Sequence, residues 1–162
     1  MSGREVVVRV ADLGVGGAAD TLVTVGLGSC VAIVLHDAKA KVGGLAHVLL
    51  PSPALARDDG KPARFPQSGV PALLQLMTAQ GADTRRITAR LAGGASMFAA
   101  LAPPGTMQMG ERNLVAARAA LTSHGVALVG EAVGGDFGRT VRFRVADGQL
   151  MISTVAHGVQ QL

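Results

Sequence analysis

Residues 31–50 read VAIVLHDAKAKVGGLAHVLL, and this stretch decides the fold. Two apolar runs, Val31–Leu35 and Val42–Leu50, flank the polar stretch Asp37–Lys41. Short runs that are rich in branched side chains are typical of strands, and an uninterrupted apolar run is typical of a strand buried on both faces. The stretch therefore predicts a β-hairpin that is buried on both faces.

Two helices are predicted after the hairpin. The first runs from Ser68, a capping residue, to Gly81, because apolar side chains recur at helical spacing between them. The second covers about Glu111–His124, and Gly125 ends it. Its inward-facing residues are expected to be Leu114, Val115, Ala117 and Leu121.

The remaining segments predict further strands and loops. Before the hairpin we expect a strand at Glu5–Val10, a loop at Leu13–Asp20, a strand at Thr21–Val25 and a turn at Gly26–Ser29. After it we expect a polar surface loop at Pro51–Pro66 and strands at Ile87–Leu91, Val126–Val133, Thr140–Val145 and Leu150–Val155. Strands that outnumber two main helices favour an α+β fold with a mixed or mainly antiparallel sheet.

The composition is that of one globular domain spanning residues 1–162. Hydrophobic residues make up 49% of the chain and charged residues 16%, which excludes a disordered protein. Basic residues are scattered and aromatic residues reach only 2%, so no nucleic-acid partner is expected. The charged residues Arg4, Glu5, Arg9 and Asp12 leave no apolar signal region, and no stretch predicts a membrane span. We expect a cytoplasmic protein without membrane insertion, in which a lone cysteine stays reduced.

Cys30 directly precedes the first predicted hairpin strand, and His47 lies within the second. Both are near the end of the hairpin away from its turn. Cross-strand partners have position numbers with a constant sum, so a turn centred between Ala38 and Lys39 places Cys30 directly opposite His47. Directly opposed residues point to the same face, with Cβ atoms roughly 4.5–5.5 Å apart. A shift of one residue would put the two side chains on opposite faces. The hairpin therefore predicts a cysteine–histidine pair.

Such a pair can act as a hydrolytic site. An adjacent imidazolium lowers the pKa of a thiol, and the thiolate attacks a carbonyl group without a metal ion. Gly26 and Gly28, shortly before Cys30, let a substrate backbone approach closely, and the Cys30 N–H can help hold the oxyanion. One cysteine and scattered histidines have no zinc-site spacing, so neither a metal nor a cofactor is expected. From the residues alone, an inert core cysteine and a hydrogen-bonded core histidine remain open alternatives.

Longer strings around the pair resemble the CheD family of chemoreceptor glutamine deamidases. They are Thr24–Ala32, Gly44–Pro51, Gly93–Phe98 and Gly110–Asn113, with Gly134, Gly135 and Arg139 matching more loosely. Their order and spacing agree from about Val23 to Val155. Leu45 departs from the methionine that the family commonly has there, and Arg64–Gln67 replaces a Tyr-Ala-Asp-like string in a region that shapes substrate or partner contact.

The resemblance implies hydrolysis of the side-chain amides of particular glutamines in the cytoplasmic helices of chemoreceptors. The products are glutamate and ammonia, and the reaction modulates chemotaxis signalling. By position, Cys30 is the nucleophile, His47 the general acid/base, and Thr24 the third active-site residue, which orients His47 or the substrate amide. Gly28 and Ser29 would assist oxyanion or substrate binding. The implied fold is a layered α/β/β sandwich like that of the cysteine–histidine deamidase toxins.

Two alternatives to deamidation stay open. A receptor glutamyl methylesterase would use the same thioester chemistry, and a largely non-catalytic protein would only dock on receptors or on a CheC-like phosphatase. A CheC-like phosphatase is also the partner type that the resemblance implies. A monomer is expected, because nothing in the sequence demands an oligomer.

Overall fold

Ten strands and two α-helices form within the residues that the computed structural model describes, 3–56 and 60–162. The strands are β1 (Arg4–Val7), β2 (Leu13–Gly16), β3 (Asp20–Leu27), β4 (Val31–Asp37), β5 (Val42–Val48), β6 (Thr88–Gly93), β7 (Ala127–Val133), β8 (Arg139–Arg144), β9 (Gln149–Thr154) and β10 (Gly158–Gln161). The α-helices are α1 (Pro66–Ala79) and α2 (Met109–Ser123). Short 3₁₀ helices lie at Pro53–Leu55, Pro62–Arg64 and Ala99–Leu101.

The strands pair into two five-stranded sheets within the described residues. Sheet A has the order β1-β3-β8-β9-β10, and sheet B has the order β2-β5-β4-β6-β7. The predicted hairpin, β4 with β5, lies inside sheet B. The β1–β3 and β6–β7 pairs are parallel, and the other described pairs are antiparallel. Both sheets are therefore mixed, with antiparallel pairing dominant.

Alternate residues of β4 face two separate cores. Val31, Ile33 and Leu35 pack on the side of α1 and α2, whereas Ala32 and Val34 pack against side chains of sheet A. Every residue of β4 and β5 is buried, as the uninterrupted apolar runs predict. The layers are thus the helices, sheet B and sheet A. This order confirms the predicted α+β fold with its α/β/β layering, and it places the hairpin in the middle layer.

Two glycines in β5 let the layers approach each other. A Cβ atom on Gly43 would lie 2.8 Å from Cε2 of Phe143 in sheet A. A Cβ atom on Gly44 would lie 2.8 Å from Cδ1 of Leu73 and 2.8 Å from Sδ of Met77, both on α1. Glycine is a poor strand former, but here it removes side-chain volume where another layer packs closely. These two residues therefore set the spacing on both faces of sheet B.

The hairpin turn is closed by the buried carboxylate of Asp37. Its Oδ1 accepts hydrogen bonds from the backbone N–H groups of Lys39 (3.1 Å) and Ala40 (3.0 Å). Arg86, directly before β6, donates to Oδ2 from Nη2 at 2.9 Å. Lys41 completes the turn with a left-handed backbone angle φ of 54°. The side chain of Asp37 thus determines where the turn begins, and with it the strand register.

The segment before the hairpin differs from its prediction in two places. Strand β2 lies in the predicted loop Leu13–Asp20, and that prediction is therefore wrong for the first half of the segment. A Cβ atom on Gly14 would lie 2.9 Å from Cγ2 of Val8, so this glycine fits a close approach that strand propensity does not reveal. The predicted turn at Gly26–Ser29 begins too early, because β3 continues through a bulge to Leu27.

Some helix and strand ends also differ. Strand β1 ends at Val7 and not at Val10. Helix α1 begins at Pro66, a residue suited to the first turn, so the prediction that Ser68 caps it is wrong. Val115 on α2 is 52% exposed and does not face inward, because it lies about 100° around the helix from buried Leu114.

Two other segments complete the comparison with the sequence. Strand β10 has the composition Gly-Val-Gln-Gln, in which no strand pattern stands out. No strand was therefore predicted there. The predicted loop Pro51–Pro66 contains two of the short 3₁₀ helices, and its residues 57–59 lie outside the described part. Among the described residues, no helix combines the length and the hydropathy needed to span a membrane.

We expect Gly44→Val to destabilise the protein although valine is the better strand former. The added side chain overlaps Leu73 and Met77, and overpacking of this kind typically costs about 1–3 kcal/mol of unfolding free energy. Urea denaturation would measure the change. Gly17→Ala is the control, because no heavy atom lies within 4 Å of a Cβ atom there, and its effect should stay within about 0.5 kcal/mol. Equal stability of Gly44→Val and wild type would contradict the close packing described here.

Candidate active site

The hairpin register differs from the predicted one by two residues. Ala32, and not Cys30, lies opposite His47, so the prediction of a directly opposed pair is wrong. The cause is the turn, which the Asp37 carboxylate places one residue later than predicted. A shift of two residues nevertheless keeps each side chain on its predicted face, because side chains alternate with a period of two.

Cys30 and His47 both lie on the face of sheet B that packs against sheet A. Cys30 belongs to the core between the sheets together with Ala32, and His47 reaches Thr24 on β3 of sheet A. Cys30 and His47 are thus diagonal neighbours across the hairpin. In a regular sheet such residues have Cα atoms roughly 7–8 Å apart and Cβ atoms somewhat closer. The structure therefore brings Thr24 and His47 into contact between the two sheets and places Cys30 on the same face of sheet B.

The Thr24 hydroxyl fixes the protonation pattern of His47. Its Oγ1 lies 2.6 Å from the carbonyl oxygen of Val8 and 2.7 Å from Nδ1 of His47. A carbonyl oxygen only accepts, so the single hydroxyl proton is donated to Val8. Oγ1 must then accept its second hydrogen bond from an Nδ1–H group. The neutral imidazole therefore carries its proton on Nδ1 and has a free electron pair on Nε2.

The Nε2 atom is left available for chemistry. It is buried and has no hydrogen-bond partner among the described residues. Buried polar atoms without partners are uncommon in proteins and often mark catalytic groups. Hydrogen bonds between catalytic groups are often long without substrate and shorten in the reacting complex. Nε2 of His47, on the sheet face that also carries Cys30, is therefore suited to act as a base.

The segment between β1 and β2 holds His47 in place from the other side. The backbone N–H of His47 donates to the carbonyl oxygen of Asp12 at 3.0 Å, and the N–H of Ala11 donates to the carbonyl oxygen of His47 at 2.9 Å. Ala11 adopts a left-handed φ of 64°, a conformation that costs an alanine free energy. The same segment begins with Val8, the acceptor for Thr24. No pattern in the sequence marks this segment as part of the site.

Three consecutive carbonyl groups hold the loop that carries Cys30. The carbonyl oxygen of Gly28 accepts from the N–H of Ala95 (2.9 Å), and that of Cys30 accepts from the N–H of Gly94 (2.8 Å). The carbonyl oxygen between them, on Ser29, accepts from Nδ2 of Asn113 at 2.9 Å. The strings Gly93–Phe98 and Gly110–Asn113 therefore converge on the residues around the thiol.

Glycine is required where these segments meet. A Cβ atom on Gly93 would lie 2.3 Å from the carbonyl oxygen of Cys30, and Gly93 has a left-handed φ of 105°. A Cβ atom on Gly110 would lie 2.3 Å from the carbonyl oxygen of Ala95. Because the obstructing atoms belong to the backbone, no side-chain rotation can relieve these overlaps. The two glycines thus bring the turn after β6 and the start of α2 against the cysteine loop.

The same loop carries Gly28 and Ser29, which were predicted to assist oxyanion or substrate binding. Both are half-buried, whereas Cys30 is buried. Ser29 lines a cavity of about 170 Å³. The other lining residues come from the turn after β6 and from the start of α2: Ala95, Ser96, Met97, Phe98, Gln108, Met109 and Gly110. Gly28 lies next to this cavity, since a Cβ atom there would lie 3.8 Å from Cγ of Met97. Both residues therefore stay candidates for substrate contact.

Arg139 supports the turn after β6 from sheet A. Its Nη1 donates to the carbonyl oxygens of Gly134 (2.8 Å) and Gly93 (3.4 Å), and its guanidinium carbon lies 4.4 Å from the centre of the Phe137 ring. Larger cavities of about 460 and 310 Å³ lie beside Phe137 and Arg139 but contain neither Cys30 nor His47. The smaller cavity is lined by Ser29, the residue directly before Cys30, and so lies nearer to the thiol along the chain.

Burial favours the neutral form of both the Cys30 thiol and the His47 imidazole. Burial raises the pKa of the Cys30 thiol, and its own backbone N–H opposes this only in part. Burial lowers the pKa of His47. The expectation that an imidazolium lowers the thiol pKa is therefore wrong for the resting site. A neutral imidazole with a bare Nε2 can accept a proton.

We expect the thiol of Cys30 to titrate above a free cysteine. Alkylation by iodoacetamide, followed from pH 6 to pH 11 by mass spectrometry, reports the thiolate fraction because the chain has one cysteine. The apparent pKa should exceed about 8.5, the value of an unperturbed thiol, because burial disfavours the thiolate. An apparent pKa below that of a short cysteine peptide, measured in parallel, would show a preformed ion pair instead.

We expect Thr24→Val to release the imidazole. The Nδ1–H group of His47 then lacks its acceptor, which should lower the unfolding free energy by about 1–3 kcal/mol. Nitrogen NMR of the histidine ring should change from the Nδ1–H form to a mixture of both neutral forms. Thr21→Val on the same strand is the control, because Thr21 is only half-buried, and its effect should stay within about 0.5 kcal/mol. A ring that keeps the Nδ1–H form in Thr24→Val would contradict this assignment.

Comparisons with known proteins agree with the sequence resemblance. The family model described as CheD chemotactic sensory transduction matches residues 49–154. A probable chemoreceptor glutamine deamidase CheD of Caldanaerobacter subterraneus is 40% identical over 155 residues, covering 96% of each chain. Proteins with the same description from Clostridium novyi and Desulforamulus reducens are 38% and 39% identical, covering 100% and 93% of this chain and 100% and 91% of their own.

One solved structure also resembles the chain. It is the Neisseria meningitidis protein NMB0706, of family model DUF152, with a TM-score of 0.48 and 14% sequence identity. The match covers 83% of this chain and 63% of that one.

The family model matches about two thirds of the chain, and the sequence relatives extend over nearly all of it, including Cys30 and His47. The chain therefore belongs to the CheD family.

Proposed function

We propose that this protein deamidates specific glutamine side chains of chemoreceptors, giving glutamate and ammonia and so modulating chemotaxis signalling. Its relatives are described as probable chemoreceptor glutamine deamidases and align over almost the whole chain. The observation that carries the proposal is the Thr24–His47 hydrogen bond, which leaves Nε2 of His47 bare on the sheet face that Cys30 shares. A buried base beside a lone thiol is the minimum that thiol-dependent amide hydrolysis requires.

The proposed reaction begins with proton transfer from the thiol of Cys30 to Nε2 of His47. The thiolate attacks the carboxamide carbon, and the backbone N–H of Cys30 donates to the resulting oxyanion. The imidazolium of His47 then gives its proton to the amine nitrogen, and ammonia leaves when the carbon–nitrogen bond breaks. A thioester between Cys30 and the glutamyl side chain remains. His47 then removes a proton from a water molecule that attacks the thioester, which releases glutamate and regenerates the thiol.

The pKa shifts fit this sequence of steps. A neutral His47 at pH 7 can accept the thiol proton, and a high thiol pKa keeps Cys30 unreactive until substrate arrives. Thr24 then stabilises the imidazolium, because its Oγ1 accepts from Nδ1–H in both the neutral and the charged form. Within this proposal Thr24 is a positioning residue, and Gly28 and Ser29 contact the substrate.

The proposal extends to the setting of the reaction. We place the whole of residues 1–162 in one deamidase domain that acts in the cytoplasm on the cytoplasmic helices of receptors, as a monomer and without nucleic acid or membrane insertion. A CheC-like phosphatase is the proposed protein partner. Receptor glutamyl methyl esters would form the same thioester on Cys30, so methylesterase activity is an outcome that the test must separate.

The test is mass spectrometry of a receptor cytoplasmic fragment after incubation with the protein. We expect a gain of roughly one dalton at particular glutamines, as hydrolysis of an amide by a nucleophilic cysteine requires. Cys30→Ala should abolish the gain, and His47→Gln should slow it by about 10²–10⁴-fold, the usual contribution of a general acid/base. His36→Gln is the matched control, since His36 is also a buried histidine of β4–β5 but bonds to Val145 near the turn.

Four results would contradict the proposal. Normal deamidation by Cys30→Ala would exclude the thiol mechanism. An equal loss of deamidation rate in His36→Gln and His47→Gln would leave His47 with a structural role only. Release of methanol from methylated fragments without release of ammonia from amidated ones would make the protein a methylesterase. Binding to the fragment without either product would indicate a docking protein.

A further inference from the structure

Asn113 joins the two chain segments that carry Cys30 and His47. Its side chain is fully buried on α2, and Nδ2 lies 2.9 Å from the carbonyl oxygen of Ser29 and 3.1 Å from that of Leu49. Carbonyl oxygens only accept, so the atom that faces them must be the NH₂ group. Both of its protons are then used. Ser29 directly precedes Cys30, and Leu49 follows His47 by two residues.

The two carbonyl groups lie where the hairpin strands separate. The β4–β5 pairing ends at Val31 with Val48. Beyond it, the N–H group of Leu49 turns away and donates to the carbonyl oxygen of Arg64 at 3.1 Å. The amide of Asn113 bridges the resulting gap. It therefore replaces a strand contact at the end of the hairpin where the thiol lies.

The contact with Ser29 also sets the direction of a catalytic donor. The carbonyl group of Ser29 and the N–H group of Cys30 belong to one planar, trans peptide unit, in which they point in opposite directions. A hydrogen bond that holds the carbonyl oxygen therefore aims the Cys30 N–H. The flanking carbonyl groups of Gly28 and Cys30 are held by Ala95 and Gly94. Only the central peptide unit is held by a side chain, that of Asn113.

We infer that Asn113 is a positioning residue that orients the Cys30 N–H as the oxyanion donor. This inference rests on the proposed acyl-transfer chemistry but names a residue and a role outside the Cys30, His47 and Thr24 set. Asn113 touches neither the substrate nor the reacting atoms, and it acts through the Ser29–Cys30 peptide unit. Its loss should slow reactions that form a tetrahedral oxyanion on Cys30 more than reactions that do not.

The experiment compares two reactions of the same thiol in the purified full-length protein. Acylation by p-nitrophenyl acetate passes through an oxyanion, whereas alkylation by iodoacetamide does not. The chain has one cysteine. Subtracting the rate measured for Cys30→Ala from each rate therefore leaves the contribution of Cys30. In Asn113→Leu, which keeps the side-chain size but has no donor, the acylation rate should fall by about 10²-fold relative to the alkylation rate, as when one oxyanion donor is lost.

Two further variants make the comparison decisive. Leu121→Ala removes a buried side chain from the same helix away from the loop, and its ratio of acylation to alkylation should equal that of wild type. Asn113→Ser keeps one hydroxyl donor and should give an intermediate ratio. Circular dichroism fixes a temperature at which every variant is folded. If Asn113→Leu does not fold, the ratio of Asn113→Ser decides alone.

The outcomes also separate this inference from the proposed function. The inference is overturned if Asn113→Leu keeps the wild-type ratio of acylation to alkylation. If Asn113→Leu does not fold, the same result in Asn113→Ser overturns it. An equal fall of this ratio in Leu121→Ala also overturns it. A lowered ratio confined to the Asn113 variants supports it, even if receptor fragments gain no mass, in which case only the proposed deamidation fails. In the deamidation assay the Asn113 variants should lower kcat and leave KM unchanged, because the donor acts on the oxyanion and not on the bound amide.

Discussion

One hydroxyl proton, that of Thr24, determines how the site works. It is donated to Val8 and not to His47, because the carbonyl oxygen 2.6 Å away only accepts. This choice places the imidazole proton on Nδ1 and leaves a bare Nε2 between the sheets. Thr24 lies on sheet A and His47 on sheet B, so the protonation pattern exists only while the two sheets are packed together.

The fold supplies this packing from both sides of His47. The segment from Val8 to Asp12 crosses from sheet A to sheet B and provides three backbone contacts, one to Thr24 and two to His47. On the other face, Gly44 lets α1 approach β5. His47 is therefore held by backbone atoms whose positions follow from the sheet topology. A side chain held in this way keeps its orientation when a substrate displaces water around it.

The sequence predicts which face of sheet B carries Cys30 and His47, but not the strand register between them. Alternation along β4 and β5 puts Cys30 and His47 on one face for any register shift of two residues, so the pairing survives an error in the turn. The error itself comes from the carboxylate of Asp37, whose partners include Arg86, 49 residues away. The roles of Ala11 and Asn113 depend on contacts of the same long range, and no local pattern reveals them. Strand β2 was missed for a related reason, since its glycines fit neighbours that only the folded protein provides.

The neutral state of the pair explains why so much of the structure surrounds a single thiol. Burial opposes charge on Cys30 and on His47 alike, so forming the thiolate and the imidazolium is unfavourable in the empty site. In the proposed reaction the charge on sulfur is short-lived, because it passes to the substrate oxygen when the tetrahedral intermediate forms. The site therefore has to stabilise an oxyanion and an imidazolium and has no need to stabilise a resting thiolate. In this proposal Thr24 supplies the acceptor for the imidazolium, and the carbonyl contacts of the cysteine loop orient the Cys30 N–H as the oxyanion donor. A thiol that is charged only in the presence of its substrate also avoids the oxidation and side reactions to which exposed thiolates are prone.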